Sequence, residues 1–335
     1  MVIEIDMERT ELPLAVIPSC FPSMVEPFRR RLDAFSGLAR VRMYTDMPAD
    51  ADGRADDAEL VRRMEPATVA LTTGVHFSDA MLAQLAPTTR CITFGGTGVA
   101  NFVDVDEARR LGIRVCNAVH YGDNAVAEHA IALLFEITHR AGTLNARMHT
   151  EPWPGEDITE IGGMTMGLVG FGGIGHRVAE LAHGLGMNLL VWARHPDRDA
   201  YERLGIQAAP TIDDVFADAD VVSLHLALND ATRGIIGPER LDLLKPGAIL
   251  INTARAELIR PGALEDRLRR GDIHAGLDVF APEPLPADDP LRDLDNVILT
   301  PHVAWRSDRA LAGIVDQCVT AATSYLTGGS YNVVA

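Results

Sequence analysis

Residues 164–184 read MTMGLVGFGGIGHRVAELAHG, and this stretch decides the fold of the chain around it. An apolar run leads into GFGGIG at 170–175, and a segment of helical period follows at 176–184. At such a strand-to-helix turn the first glycine permits a tight bend, the second lets the backbone approach a pyrophosphate, and the third lets the helix pack on the strand. A helix that starts here also points backbone N–H groups at an anion. The candidate cofactor-binding residues of the turn are Gly170, Gly172, Gly173, Ile174 and Gly175.

The apolar run after this turn bears on which coenzyme is bound. A site that prefers NAD usually ends its second strand with Asp or Glu, whose carboxylate accepts hydrogen bonds from the adenosine ribose. Here the run NLLVWA ends at Ala193, and Arg194 and His195 follow. A guanidinium suits a 2′-phosphate, so the sequence favours NADPH over NADH. Each of these two interpretations has a structural alternative. The glycine-rich turn could bind no ligand, and Arg194 could lie in solvent without contacting a coenzyme.

Short apolar runs alternate with segments of helical period along most of the chain. They read LAVIPSC, VRMY, TVALTTG, CITFGG and IRVCN before the glycine turn, and NLLVWA, ADVVSLH, GAILINT, HAGLDVF and NVILTP after it. This alternation predicts an α/β protein with two Rossmann-like, doubly wound parallel-sheet domains and a cleft between them. Residues 124–140 predict a helix buried between the domains, and 307–326 predict a last helix that returns to the first domain.

These patterns place the domain boundaries. The expected domains are a flavodoxin-like, substrate-binding domain of residues 1–120 with 306–335, and a dinucleotide-binding Rossmann domain of residues 121–305. A chain of 335 residues is too long for one ordinary core, which agrees with two domains.

Composition restricts the possible partners. The formal net charge of −17, with scattered basic residues, argues against nucleic acid. No apolar run reaches the roughly 18 residues of a membrane helix, and the acidic N-terminus is unlike a signal peptide, so a cytoplasmic protein is expected. Four cysteines lie far apart without CxxC spacing, which predicts buried thiols and no metal site or disulfide framework.

Polar residues follow three apolar runs, in NTAR at 252–255, GLDVFAPEP at 276–284 and TPH at 300–302. Ligands bind at the carboxyl ends of strands in open α/β sheets. Arg255 can hold a carboxylate through two hydrogen bonds, the imidazole of His302 can give or take a proton, and Glu283 can orient that imidazole and favour its protonated form. Together they meet the needs of 2-oxo acid reduction. Taken singly, Arg255 could be a surface charge, His302 a histidine of the core and Glu283 an acid in solvent.

The same segments resemble the D-isomer-specific 2-hydroxyacid dehydrogenase family from about Val69 to His302. LVGFGGIGHRVAELAHGLGMNLLVW resembles its cofactor-binding unit, LKPGAILINTARAELIRPGALEDRLRRGDIHAGLDVFAPEPL its arginine and glutamate blocks, and TPHVAW its histidine block. The resemblance extends to glyoxylate or hydroxypyruvate reductases and phosphoglycerate dehydrogenases. It implies NAD(P)-dependent hydride transfer to or from a small 2-oxo or 2-hydroxy acid, catalysis by Arg255, Glu283 and His302, and a homodimer.

The resemblance also implies further binding residues. FGGTGVANFVD resembles a segment that holds the substrate carboxylate, matched at Gly96, Gly98 and Asn101, with Val75 as a second amide donor. Asp278 is implied to lie near the nicotinamide carboxamide. The remaining implied cofactor-binding residues are His225 and Thr253.

Three departures from the family pattern leave the substrate open. Ala100 replaces an Asp, Ala256 a Gly and Ala227 a Pro, so glyoxylate, hydroxypyruvate, phosphorylated and bulkier 2-oxo acids all remain candidates. A formate dehydrogenase-like enzyme would pair the histidine with Gln, which Glu283 argues against. A dinucleotide-sensing protein similar to transcriptional corepressors is the second alternative.

Overall fold

In a computed structural model, which describes residues 1–49 and 55–335, the chain divides into two units. Unit 1 contains Met1–Tyr121 and Ser307–Ala335, and unit 2 contains Gly122–Arg306. Each unit is built around its own sheet. The chain therefore leaves unit 1, forms the whole of unit 2, and then returns to unit 1.

The strands are β1 (Val2–Ile5), β2 (Leu14–Ile17), β3 (Arg40–Tyr44), β4 (Val69–Thr72), β5 (Cys91–Phe94), β6 (Arg114–Asn117), β7 (Thr165–Val169), β8 (Asn188–Trp192), β9 (Gln207–Ala208), β10 (Val221–Leu224), β11 (Ile249–Asn252), β12 (His274–Leu277) and β13 (Val297–Leu299). The α-helices are α1 (Pro22–Arg29), α2 (Asp57–Met64), α3 (Asp79–Leu85), α4 (Val105–Arg110), α5 (Asp123–His139), α6 (Ala141–Met148), α7 (Gly173–Gly184), α8 (Arg198–Leu204), α9 (Ile212–Asp218), α10 (Pro238–Leu241), α11 (Ala263–Leu268) and α12 (Asp308–Leu326). Short 3-10 turns occur at Leu32–Phe35, Val99–Asn101, Ala256–Leu258 and Pro290–Asp293.

The sheet of unit 1 has the order β1-β3-β2-β4-β5-β6. All its pairs are parallel except β1 with β3. Every residue of β2, β4 and β5 is buried, which explains their unbroken apolar sequence, because helices cover both faces of a parallel sheet. Helix α12 covers part of this sheet and packs on β4, β5 and β6. The C-terminal residues pair with the outer edge of β6, where the Val334 N–H donates to the Val115 carbonyl at 2.8 Å.

The sheet of unit 2 is entirely parallel and has the order β13-β12-β11-β10-β7-β8-β9. Apolar cores lie on both of its faces. The strand order reverses between β7 and β10, so the connections on either side of this point run in opposite directions. The crevice at the carboxyl ends of β7 and β10 is therefore the expected ligand site of an open α/β sheet.

The α/β class with parallel sheets, predicted from the sequence, is confirmed. Three details differ from the prediction. The helix after the glycine turn starts at Gly173 and not at 176, so the last glycines of the motif form its first turn. The antiparallel strand β1 and the two-residue strand β9 were not predicted, because one is half exposed and the other is too short to show a period.

The helix expected at 124–140 spans Asp123–His139 and packs on α7, β11, β12 and β13 of unit 2. Its buried residues include Ala127, Ala130, Leu133 and Leu134. The helix approaches β12 closely, since a Cβ at Gly276 would lie 3.0 Å from the Leu133 Cβ. In the described ranges, no helix combines the length and the apolar character needed to cross a membrane.

Candidate active site

The glycine turn joins β7 to α7, and two of its glycines are required by the fold itself. Gly170 has a φ of 106°, and a Cβ there would lie 2.6 Å from the carbonyl oxygen of His225. A Cβ at Gly175 would lie 2.5 Å from the carbonyl oxygen of Gly170. A Cβ at Gly172, in contrast, would meet nothing within 4 Å. Open space therefore lies beside Gly172, directly in front of the N-terminus of α7.

This space fits the pyrophosphate of a dinucleotide. The first N–H groups of a helix have no partner within the helix, so Gly173, Ile174 and Gly175 carry donors suited to a phosphate. At the end of β11 the buried hydroxyl of Thr253 has no hydrogen-bond partner among the described residues. An orphaned buried hydroxyl at the carboxyl edge of the sheet is a group that a bound ligand can satisfy. The predicted cofactor residues thus follow β7, β8, β10, β11 and β12, whose carboxyl ends form one edge of the sheet.

Arg194 and His195 follow β8, and both are exposed. Neither side chain forms a hydrogen bond or ion pair with the part of the chain that the structure describes. The next acid along the chain, Asp197, caps α8 by accepting from the Ala200 N–H at 3.1 Å. The end of β8 thus presents an unpaired guanidinium and no carboxylate of its own.

His225, which follows β10, is a neutral side chain. Its Nε2 lies 2.9 Å from the Ser223 hydroxyl oxygen, and the ring is largely removed from solvent. Burial lowers the pKa of His225 to about 4, because the charged imidazolium loses its hydration. This residue can offer the cofactor a hydrogen bond but no positive charge at neutral pH.

The three predicted catalytic side chains follow three neighbouring strands. Arg255 comes after β11, Glu283 after β12 and His302 after β13, and these strands are parallel and adjacent. The carboxyl ends of adjacent parallel strands share one edge, so all three residues emerge from the same edge of the unit 2 sheet. Sequence reasoning could anticipate this grouping but not the bonds within it.

His302 and Glu283 form a hydrogen-bonded pair. The Nδ1 atom of His302 lies 2.7 Å from Glu283 Oε2, and Glu283 Oε1 accepts from the Phe280 N–H at 2.9 Å. Burial alone would raise the pKa of Glu283, but the bonds from His302 and Phe280, with the charge of Arg255, hold that pKa below its usual value. Glu283 is therefore an ionised carboxylate fixed through both oxygens. Its presence also removes the support for the formate dehydrogenase-like alternative, which required Gln.

Hydrogen bonds fix the backbone around Arg255, while its guanidinium remains available to bind a ligand. The Asn252 side chain donates to the Arg255 carbonyl at 2.9 Å and accepts from the Ala254 N–H at 3.0 Å. One guanidinium nitrogen donates to the Ala254 carbonyl at 2.6 Å, and no described acid forms an ion pair with Arg255. Sequence reasoning missed the role of Asn252, although a polar residue that ends a buried strand was the signal for it.

Asp278 lies beneath the loop that carries His302 and is 0% exposed. Its carboxylate accepts from the Thr300 hydroxyl at 2.6 Å and from the Val303 and Ala304 N–H groups at 3.0 and 2.9 Å. His129 Nε2 is 3.5 Å away. These bonds hold the loop at 300–304 over Asp278, and the nicotinamide contact implied for this residue stays a prediction.

The predicted substrate-binding residues lie in unit 1. Val75 follows β4, Gly96 follows β5, and Gly98 precedes the short turn Val99–Asn101. The strands β4 and β5 are neighbours, so both loops lie at one edge of the unit 1 sheet. A Cβ at Gly96 would lie 2.6 Å from the Phe94 ring, so close packing requires glycine there.

All four cysteines are free and buried. Outside residues 50–54, no group of three or more His, Cys, Asp or Glu residues could hold a metal ion.

Residues 131–304 match the family model described as D-isomer specific 2-hydroxyacid dehydrogenase, NAD binding domain. The chain is 32% identical over 298 residues to a hydroxypyruvate reductase of Blautia hydrogenotrophica, covering 85% of this chain and 90% of that protein. It is 34% identical over 288 residues to a glycerate dehydrogenase of Methylorubrum extorquens, covering 82% and 88%. A phosphoglycerate oxidoreductase from Vibrio cholerae O395 has a similar structure, with a TM-score of 0.78, 29% identity, and coverage of 95% of this chain and 100% of that one. The chain therefore belongs to the D-isomer specific 2-hydroxyacid dehydrogenase family and is an NAD(P)-dependent oxidoreductase that acts on the CH–OH group of 2-hydroxy acids.

Proposed function

We propose that this enzyme reduces glyoxylate or hydroxypyruvate to the corresponding 2-hydroxy acid, with NADPH as the preferred coenzyme. The observation that carries the proposal is the His302–Glu283 pair at the same sheet edge as an Arg255 without a carboxylate partner. Small 2-oxo acids are favoured because similar proteins are named hydroxypyruvate reductase and glycerate dehydrogenase.

The roles of the three side chains follow from their bonding. Arg255 holds the substrate carboxylate and polarises the neighbouring carbonyl through its free N–H groups. His302, bonded to Glu283 through Nδ1, donates the proton on its other nitrogen to the carbonyl oxygen. The chemistry that NADPH would supply when bound in unit 2 is a hydride for C2 of the substrate. Glu283 keeps the imidazole in one orientation and stabilises its positive charge before the proton is transferred.

The units receive different tasks in this proposal. Unit 2 binds the dinucleotide through the turn at 170–175 and the residues after β8, β10 and β11. The backbone N–H groups of Val75, Gly96 and Gly98 in unit 1 remain the predicted donors to the substrate carboxylate. Asp278 binds the loop of His302 and remains the predicted neighbour of the nicotinamide carboxamide.

Turnover tests the reaction. Loss of NADPH absorbance at 340 nm would be followed with glyoxylate and with hydroxypyruvate, for the wild-type protein and for His302→Ala. We expect His302→Ala to lose about 10²- to 10⁴-fold in kcat, as for removal of a general acid, while dinucleotide affinity stays the same. The exposed His183→Ala is the matched control. Tight dinucleotide binding without turnover of any 2-oxo acid would contradict the proposal and favour the sensing alternative.

Arg194 tests the coenzyme preference separately. We expect Arg194→Ser to raise KM for NADPH by about tenfold or more and to leave KM for NADH nearly unchanged, because only NADPH carries the 2′-phosphate. Steady-state kinetics with both coenzymes measure this. A wild-type enzyme that prefers NADH would overturn the assignment.

We also propose that the enzyme is a homodimer, and exposed apolar side chains in unit 2 support it. Helix α6 has no buried residue, and three large apolar side chains at its end and beyond are exposed: Met148 (50%), Trp153 (83%) and Ile158 (54%). A second copy would remove this surface from water. A cytoplasmic location remains a prediction from the sequence.

A further inference from the structure

Thr300 lies at the centre of a chain of hydrogen bonds beneath the loop of His302. Its hydroxyl oxygen is 2.6 Å from Asp278 Oδ1 and 2.9 Å from His129 Nε2. Asp278 directly follows β12, Thr300 directly follows β13, and His129 lies on α5. Three elements of unit 2 therefore meet at one hydroxyl group.

The chemistry of these groups fixes the direction of both bonds. A carboxylate only accepts hydrogen bonds, so the Thr300 hydroxyl donates its single proton to Asp278. Thr300 must then accept from His129, which places a proton on Nε2 of that ring. If His129 carried its only proton on Nδ1, two acceptors would face each other across 2.9 Å. The arrangement thus requires His129 to act as a donor.

Asp278 links this chain of bonds to the backbone around His302. Its two oxygens accept from the Val303 and Ala304 N–H groups, just after the histidine, and from Thr300, just before it. His302 itself has a φ of 50°, a left-handed conformation that a non-glycine residue keeps only when its surroundings enforce it. The bonds to Asp278 hold the chain on both sides of that strained residue.

We propose that His129 and Thr300 are positioning residues for the reaction, acting through Asp278 on the direction of the His302 imidazole. The inference rests on the proposed function, because it assumes that His302 transfers the proton. Neither residue needs to touch the substrate. Helix α5 is fixed against β11, β12 and β13, so His129 donates from a rigid support. Removing either bond takes away part of what orients the fully buried carboxylate of Asp278, and the loop then relaxes.

Paired substitutions separate the hydrogen bonds from the packing. Thr300→Val removes the hydroxyl at nearly constant shape, and Thr300→Ser retains it. His129→Leu removes the donor, and His129→Gln keeps an N–H group at a similar reach. We expect the Val and Leu variants to lose about 10- to 100-fold in kcat with a smaller change in KM, because a misplaced acid slows the chemical step. The Ser and Gln variants should regain most of that loss.

Two controls distinguish positioning from loss of stability. Glu128→Gln changes the exposed neighbour of His129 on the same helix and should have no effect on kcat. Val215→Ala opens a cavity in the core of unit 2 and provides a variant with lowered thermal stability but intact bonds around Asp278. The double variant His129→Leu with Thr300→Val should lose little more than Thr300→Val alone. Fully additive losses would contradict a single chain of bonds.

A measurement that does not depend on turnover completes the test. In protein labelled with ¹⁵N-histidine, the proton between His302 Nδ1 and Glu283 gives a resonance that His302→Ala identifies. We expect this resonance to shift or broaden in Thr300→Val and His129→Leu and to persist in Thr300→Ser and His129→Gln. Normal kcat together with an unchanged resonance in the first two variants overturns the inference. Absence of turnover in the wild-type protein would contradict the proposed function and not this inference. In that case the resonance still tests the hydrogen bonds that link His129 and Thr300 to Asp278.

Discussion

His225 shows how the burial of one side chain links the site to stability. Its pKa is lowered from an ordinary value of 6.5 to about 4 because the folded protein removes the ring from water. Between these two values the unfolded chain binds more protons than the folded one. The contribution of His225 to the free energy of unfolding is therefore fully present above about pH 6.5 and is lost as the pH falls toward 4.

Substitution of His225 makes this contribution measurable. We expect the wild-type protein to lose more of its free energy of unfolding between pH 7 and pH 4.5 than His225→Asn does, by up to a few kcal/mol. Urea unfolding at a series of pH values measures the free energy of unfolding of both proteins. The contributions of their shared carboxylates cancel in the difference between the two. The exposed His183→Asn is the control. If the free energy of unfolding falls equally with pH in His225→Asn and in the wild type, the prediction for the His225 ring is wrong.

At the scale of an element, the glycines in the turn from β7 to α7 have two different roles, one in folding and one in coenzyme binding. Gly175 packs against the backbone of Gly170, whereas Gly172 faces open space with a φ of −83° that any residue can adopt. We expect Gly172→Ala to keep the wild-type melting temperature but to weaken dinucleotide binding by about tenfold or more, because its methyl group occupies the approach to the pyrophosphate. Gly175→Ala should lower the melting temperature itself.

Thermal unfolding without coenzyme and fluorescence titration with NADPH measure the two effects separately. Gly184→Ala, at the far end of α7 where a Cβ meets nothing within 4 Å, is the control. Unchanged coenzyme affinity in Gly172→Ala would mean that the pyrophosphate does not pass beside this residue.

The elements also show why some features were predictable and others were not. Central strands such as β4 and β11 are buried along their whole length, so their sequence is continuously apolar and easily located. The start of α7 was misplaced by three residues because glycines have low helix propensity, and only packing on the sheet makes them helical. The grouping of Arg255, Glu283 and His302 at one edge was predictable, because each residue follows a strand of the same parallel sheet. The bonds between Asp278 and the loop of His302 could not be predicted, because the path of an irregular loop leaves no period in the sequence.

At the scale of the whole molecule, the proposed homodimer depends on the exposed segment of α6 and the residues after it. We expect replacement of Met148, Trp153 and Ile158 by Ser to shift the protein from dimer to monomer at micromolar concentration, because these side chains are the apolar surface that association would bury. Sedimentation velocity measures the change, and circular dichroism checks the fold. Leu243→Ser, an exposed apolar residue elsewhere in unit 2, is the control. A monomeric wild-type protein, or a dimeric triple variant, would contradict the proposal.

The split of unit 1 between the two ends of the chain has a consequence for synthesis on the ribosome. Residues 1–121 emerge first, but α12, which covers β4, β5 and β6, is translated only after the whole of Gly122–Arg306. At roughly 5–20 residues per second this delay of about 185 residues lasts on the order of 10–40 s. Unit 2 is contiguous and can complete its core during that time, whereas residues 1–121 of unit 1 wait with part of their sheet uncovered by α12. We therefore expect residues 1–121 to expose apolar surface for longer than unit 2 does during synthesis.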